Sequence, residues 1–393
     1  MKIAIVSSYN EGEANSEYTK AIKTEFEAQG HVVEILRLPF NIFGSTSSIA
    51  RKQADLLIEQ YVKQLSNFDY VNIHYEFLLY GYKENDVLRR VLKLIMACKN
   101  NKFSVVFHNF PEGKILSPWK LKLRRWQKKE NQLSVVQSIL HIVEQKQGKA
   151  IVHIFRHQRY IKQCCPKLKI VVHPLRYKTN EELQKQKGNF SKNSYMKEMG
   201  IKLSDKHKVI SVIGTLHFYK DISSVVRALN ILPENYHLFI FGGMHKLSFS
   251  SSPTGLPFIN DTQNLIESLN LTNRVHFMGF QETSEDFQNA CLFSDYIVMP
   301  YIEIGESASA AAYTALELCE HVFCTRNNCF GELNDFFYVS GTEVGYFQYD
   351  MGNYLELAEK IKTLPKEKKV LENRKHFLKH YSINENVKSY LPE

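Results

Sequence analysis

The 393-residue sequence has no apolar run long enough to cross a bilayer, no regular cysteine spacing and only two tryptophans. Its longest apolar stretches, such as residues 237–243 (HLFIFGG) and 296–302 (YIVMPYI), fall far short of the ~20 residues a spanning helix needs. Seven cysteines, an odd number, argue against a disulfide framework and for a reducing compartment. The N-terminal MKIAIVSSYNEGE turns polar before a signal-peptide core of ~7–15 apolar residues could form. There is no G-x-S-x-G elbow and no Walker lysine loop, which argues against hydrolase and nucleoside-triphosphatase readings, and no Asp-x-Asp metal motif, so metal-independent chemistry is expected. Cys319, His321, Cys324 and Cys329 match no standard zinc spacing, and no metal site is expected.

Acidic residues are missing in one place. Residues 114–129 hold seven basic side chains and no acidic one, so the formal charge of +9 leaves only 9 − 7 = +2 for the rest of the chain. The protein is near-neutral with one basic patch, and no nucleic-acid motif accompanies it. Hydrophobic residues at 44% and charged residues at 23% are ordinary for a globular chain, here of two or three domains.

What is present is a repeated alternation of short apolar runs and helical patterns. Strands are expected at residues 2–7, 31–36, 69–74, 103–108, 150–154 and 170–174, with helices at 16–29, 47–65 and 86–99 between them. Apolar runs without alternation, separated by helices, indicate β-α-β units and a parallel sheet buried on both faces. Residues 176–207 are polar and Lys/Asn-rich, without a strand candidate, and 178–206 is the expected linker. A second series follows at 209–213, 237–241, 274–277, 296–299 and 321–325. The expectation is an α/β protein of two doubly wound domains facing a ligand cleft.

Two motifs in the second half carry chemistry. Gly214-Thr215-Leu216-His217-Phe218-Tyr219-Lys220 follows a strand and opens the helix expected at 223–229. Backbone N–H groups at a helix start, joined by a lysine, suit an anion such as phosphate, although an ordinary strand-helix turn with a surface lysine reads the same way. The second motif runs from Pro300 through Gly305, Glu306, Ser307, Ala308 and Ser309 into an alanine-rich helix. Small residues there allow close approach of a diphosphate, and Glu306 could accept from a sugar hydroxyl; a buried helix with a Ser307 cap is the plainer alternative.

These motifs, taken in order, resemble the retaining glycosyltransferases of family 4 and their relatives. The resemblance rests on Gly214…Lys220, Phe241-Gly242-Gly243, Val275-His276-Phe277-Met278-Gly279-Phe280, Asp295…Pro300, Glu306…Thr314 and Gly331-Glu332, across residues 214–332. It implies the GT-B fold of two Rossmann-like domains: 1–177 for the acceptor, with 381–393 packing back on it, and 207–380 for the nucleotide-sugar donor. It implies that Lys220 binds the donor diphosphate, Glu306 holds the donor sugar and Ser307, Ala308 and Ser309 cradle phosphate or sugar. Gly242 and Gly243 would lie near the nucleotide, and Gly279 and Phe280 near its base. Thr215 stands where the family has an arginine. Thr314 stands where it has a ribose-binding glutamate, with Glu317 nearby as a partial substitute. In the first half, Gly12 matches a diphosphate-side glycine and His108 a histidine beside the reacting centre, making Glu306, Lys220 and His108 the expected catalytic set. His74 and Glu76 are expected to face the cleft.

One helix stands apart. After Ser117-Pro118, a suitable cap and first turn, Leu116, Trp119, Leu123 and Trp126 recur at spacings of 3, 4 and 3, flanked by Lys120, Lys122, Arg124, Arg125, Lys128 and Lys129. A basic amphipathic helix with interfacial tryptophans suits an anionic membrane surface, unless the tryptophan face packs on the core.

The expected activity is a hexosyltransferase-type transfer, with retention, from a UDP- or GDP-sugar to a glycan or glycolipid hydroxyl in bacterial surface polysaccharide or lipopolysaccharide synthesis. The expected place is cytoplasmic, peripheral on the inner face of the cell membrane. The alternatives are a GT-B binding or scaffold subunit with impaired catalysis, or another GT-B enzyme such as a sugar-nucleotide epimerase.

Overall fold

A computed structural model describes residues 1–11, 14–243, 255–281, 283–302, 309–363 and 368–391. The chain forms two compact units, Met1–Tyr177 with Tyr381–Glu393, and Lys178–His380.

The first unit carries strands β1 (Lys2–Ser7), β2 (Val32–Arg37), β3 (Tyr70–Tyr75), β4 (Phe103–Phe107), β5 (Lys149–Val152) and β6 (Lys169–Val172), all parallel in the order β2-β1-β3-β4-β5-β6. Side chains alternate between faces along a strand. In β1, Ile3 and Ile5 therefore enter one core with Tyr18, Ile22 and Phe26, and Ala4 and Val6 enter the other with Phe43, Ile73 and Val105. The first core is completed by Ile383, Val387 and Tyr390 at the chain's end. Burying each such apolar side chain is worth about 1.5–3 kcal/mol. That term offsets the cost of ordering a short terminal helix, Ile383–Lys388, which could not hold its shape alone.

The second unit repeats the design with β7 (Lys208–Ile213), β8 (Tyr236–Phe241), β9 (Val275–Phe277), β10 (Tyr296–Met299), β11 (His321–Thr325) and β12 (Phe347–Tyr349), parallel in the order β12-β11-β10-β7-β8-β9. β12, Phe-Gln-Tyr, has no counterpart in the pattern reading. Residues 178–206 are not extended chain: they hold helices Asn180–Asn189 and Lys192–Glu198, capped by Thr179 and Ser191, and group with the second unit. Lys192 pairs with Asp295 at 3.0 Å, and the Tyr195 ring packs on Phe293 at 5.3 Å.

In each sheet the strand order reverses once, between β1 and β3 and between β7 and β10. Ligands of open parallel sheets bind beyond the strand C-termini at such reversals, because the connecting loops diverge there and leave backbone groups exposed.

Candidate active site

In the second unit the residues after β7, β8, β9 and β10 converge at that reversal. Gly214 ends β7 with φ +95°, a conformation in which a Cβ is strained. A Cβ there would also stand 2.8 Å from Lys220 Nζ and 3.7 Å from the Ala311 side chain. A Cβ on Gly242 would meet the Gly214 carbonyl oxygen at 2.4 Å, and one on Gly243 would meet Phe280 at 2.9 Å. Gly214, Lys220, Gly242, Gly243 and Phe280 therefore form one tightly packed floor. Gly279, φ +74°, turns the chain into Phe280 with open space beside it.

Lys220 is 2% exposed, so the surface-lysine alternative fails. Its ammonium donates to the Ile213 carbonyl at 2.9 Å and lies 5.4 Å over the Tyr301 ring. Tyr301 Oη shares a hydrogen bond with Ser309 Oγ at 3.1 Å, and Ser309 caps the helix Ala310–Leu318. The loop after β10 is thus brought beside Lys220 at its described ends. Glu306, Ser307 and Ala308 lie outside the described residues.

Three further residues have defined surroundings. The helix after Lys220 runs Ile222–Ile231, and Asp221 already caps its N3 amide at 3.1 Å, so a carboxylate occupies the position where an anion was expected. Thr215 is half-buried in the Gly214 turn. Thr314 turns its hydroxyl back to the Ala310 carbonyl at 3.2 Å, and Glu317 is buried.

In the first unit, a histidine stands next to last in β3 and directly after β4, β5 and β6, all on the same face: His74, His108, His153 and His173. Neighbouring ring centroids lie 5.0, 5.5 and 5.2 Å apart. Strand parity accounts for this, since 74, 108, 153 and 173 continue the alternate positions held by Tyr70, Val106, Ile151 and Val171. Tyr18, on the helix Ala14–Ala28, covers three of the rings at 5.3–5.9 Å. Burial holds all four imidazoles below their ordinary pKa, His74 at about 3 and His173 at about 4. They are neutral at physiological pH.

His108 is half-buried, whereas His74 is completely buried beneath Tyr18 and Thr19. His74, expected to face the cleft, instead lies under the covering helix, where its strand position points it. Glu76, two residues further along, accepts from Asn15 Nδ2. Gly12 lies outside the described residues. The pattern reading missed His153, His173 and Asn72; the signal was the shared strand parity, which becomes legible only once strand order is known.

The basic segment forms the helix Pro118–Trp126. Leu121, not the tryptophans, is its buried anchor, and Trp119 and Trp126 are 62% and 80% exposed. The core-packed alternative for the tryptophan face therefore fails. Among the described residues, no helix is long and apolar enough to cross a membrane. His141, Glu144 and Cys165 bring ligand-type atoms within 4.8 Å of one another, and burial pushes the Cys165 thiol up to about 12.

Residues 197–380 match the family model for Glycosyl transferases group 1. No curated protein matches the chain. Among solved structures, a glycosyltransferase from Rickettsia africae ESF-5 is 17% identical with TM-score 0.63, covering 99% of this chain and 96% of that one. HepE of Anabaena, in complex with UDP, is 15% identical with TM-score 0.59, covering 99% and 98%. WaaG, a glycosyltransferase involved in lipopolysaccharide biosynthesis, is 14% identical with TM-score 0.59, covering 99% of both. Two parallel six-stranded sheets with flanking helices are the architecture of the GT-B fold that these structures share, and the second unit carries the match to the group 1 model.

Proposed function

We propose that the chain transfers a sugar from a nucleoside diphosphate sugar to a hydroxyl of a glycan acceptor, with retention of anomeric configuration. The observation that carries this is the convergence of Gly214, Lys220, Gly242, Gly243, Phe280, Tyr301 and Ser309 at the strand-order reversal of the unit that matches the group 1 model. Side-chain-free glycine turns allow a pyrophosphate to approach the backbone, and Lys220 adds positive charge where the leaving diphosphate develops negative charge. Gly279 and Phe280 would lie near the base, Glu306 would hold the donor sugar, and Ser307–Ser309 would cradle phosphate or sugar. UDP is the first candidate nucleotide, because the similar HepE is described with UDP and with UDP-glucose. His108 is the third residue proposed for catalysis.

The acceptor we propose is a lipid-linked bacterial surface glycan, met at the cytoplasmic face of the membrane through the exposed Trp119 and Trp126 with Lys120, Lys122, Arg124, Arg125, Lys128 and Lys129. The alternative, a catalytically impaired binding subunit, draws on Thr314, whose hydroxyl is engaged by its own helix.

Calorimetry and thermal shift against UDP, GDP, CMP, ADP and their sugar conjugates test the reading. The expected result is selective binding of one nucleotide, weakened about 10–100-fold in Lys220→Ala, the loss of a charge-assisted contact. No binding at millimolar concentration favours the binding subunit.

A further inference from the structure

Away from the histidine row, the first unit gathers three side chains of metal-ligating type. His141 and Glu144 stand three apart on the helix Gln132–Gln145, so they share a face. Cys165 directly follows the helix Phe155–Cys164 and is fully buried. A ring nitrogen of His141, a carboxylate oxygen of Glu144 and Cys165 Sγ lie within 4.8 Å of one another. Cys165 Sγ and His141 Nδ1 are 3.4 Å apart. In a tetrahedral zinc site the ligand atoms stand roughly 3.4–3.6 Å from one another, given Zn–S of about 2.3 Å and Zn–N or Zn–O of about 2.1 Å.

Backbone contacts hold the set together. Leu168 N–H donates to the Cys165 carbonyl at 3.1 Å, closing the turn that leads into β6. Within that turn, Lys167 N–H donates to Glu144 Oε1 at 2.8 Å. A carboxylate has two oxygens, so one can keep the amide while the other meets an ion. Glu144 is half-buried, yet its carboxylate has no cationic partner among the described residues. His141 Nε2 is buried without a hydrogen-bond partner among them, so Nδ1 is the atom through which the ring engages the cluster.

We propose that His141, Glu144 and Cys165 form a zinc site that clips the helix Gln132–Gln145 to the turn before β6. Thiolate sulfur, imidazole nitrogen and carboxylate oxygen together suit zinc, whereas calcium and magnesium take oxygen ligands. Coordination replaces the S–H bond of Cys165 by an S–Zn bond, and the proton leaves to solvent. Thiolate and carboxylate then balance the two charges of the ion. His141 and Glu144 are only half-buried, so water can complete the tetrahedron. The helix leads into the start of β5 and the turn into the start of β6, so the site lies at the opposite end of this sheet from His108. It is a structural clip and does not rest on the donor-site reading. Its ligands come from two segments, which is why no linear zinc pattern marks them.

The test takes the full chain, stripped with EDTA and titrated with Zn²⁺ or, as a spectroscopic probe, Co²⁺. One ion per chain is expected, with a thiolate-to-cobalt charge-transfer band and a higher melting point in zinc. Calorimetry in two buffers should show one proton released per ion. Glu144→Gln keeps an acceptor for the Lys167 amide but loses the charge. It should melt like the metal-stripped parent and bind zinc at least about tenfold more weakly, since even residues that only support a ligand are worth that much. His141→Gln should weaken binding likewise, and Cys165→Ser should remove the charge-transfer band. Cys164→Ser, next in the chain but outside the cluster, should leave binding unchanged. No cobalt band, or unchanged zinc affinity in both Glu144→Gln and His141→Gln, overturns the site and leaves the Cys165–His141 contact a plain hydrogen bond. A band that survives Cys165→Ser or vanishes in Cys164→Ser overturns Cys165 as the ligand.

Discussion

Gly242 shows how little freedom the donor-side floor has. A Cβ there would stand 2.4 Å from a backbone oxygen, which cannot swing aside as a side chain can. Gly242→Ala is expected to cost about 1–3 kcal/mol by overpacking and to weaken nucleotide binding by displacing the Gly214 turn. Melting and calorimetry read both, and an unchanged melting point with unchanged affinity would show the turn to be compliant. The buried imidazoles set a second expectation. Unfolded histidines protonate near 6.5, whereas His74 and His157 are held at about 3 and His173 at about 4 by burial. Below pH 6.5 the unfolded chain binds more protons, so stability is complete above that pH and is lost as pH falls toward 4. Between pH 6.5 and 5 each such histidine removes on the order of 2 kcal/mol. The urea midpoint should drop between pH 7.5 and 5, less steeply in His74→Gln; a flat profile would refute the buried-neutral assignment.

Among the elements, the helix Pro118–Trp126 separates anchoring from display. Leu121 faces inward, while Trp119, Leu123 and Trp126 are exposed together with a basic fringe. Each basic residue near an anionic surface contributes about 1 kcal/mol, and indole rings favour the headgroup region. Trp119→Ala with Trp126→Ala should reduce co-sedimentation with phosphatidylglycerol vesicles at least about tenfold without lowering the melting point. High salt should weaken binding of the parent protein by screening. Equal binding to purely zwitterionic vesicles would remove the electrostatic part of the idea, and no binding to either would remove the helix from the membrane reading.

At the scale of the molecule, the last residues complete the first unit. Tyr390 is fully buried, its hydroxyl bonds Tyr18 and its carbonyl accepts from Tyr70. Tyr390→Ala should cost about 3–5 kcal/mol, the range for deleting a buried ring, seen as a lowered denaturant midpoint. A loss under 1 kcal/mol would mean that the terminal helix is dispensable to the first core. Because these partners stand more than 300 residues apart in the chain, the first unit closes only after the second has been made, a high-contact-order step.

The periodic apolar runs determined the α/β class and eleven of the strands: central strands such as β1, β3 and β4 are buried on both faces and need continuous hydrophobic residues whatever surrounds them, and the flanking strands keep a short apolar run. The glycines at 214, 242 and 243 were legible for the same reason: positive φ and backbone approach admit little else. Strand order, by contrast, is a long-range property. It decided that His74 lies under a helix and that His153 and His173 continue its row. Periodicity also could not choose which face of the basic helix is inward, since Leu121 and the tryptophans both satisfy a helical repeat; only the packing partner breaks that tie.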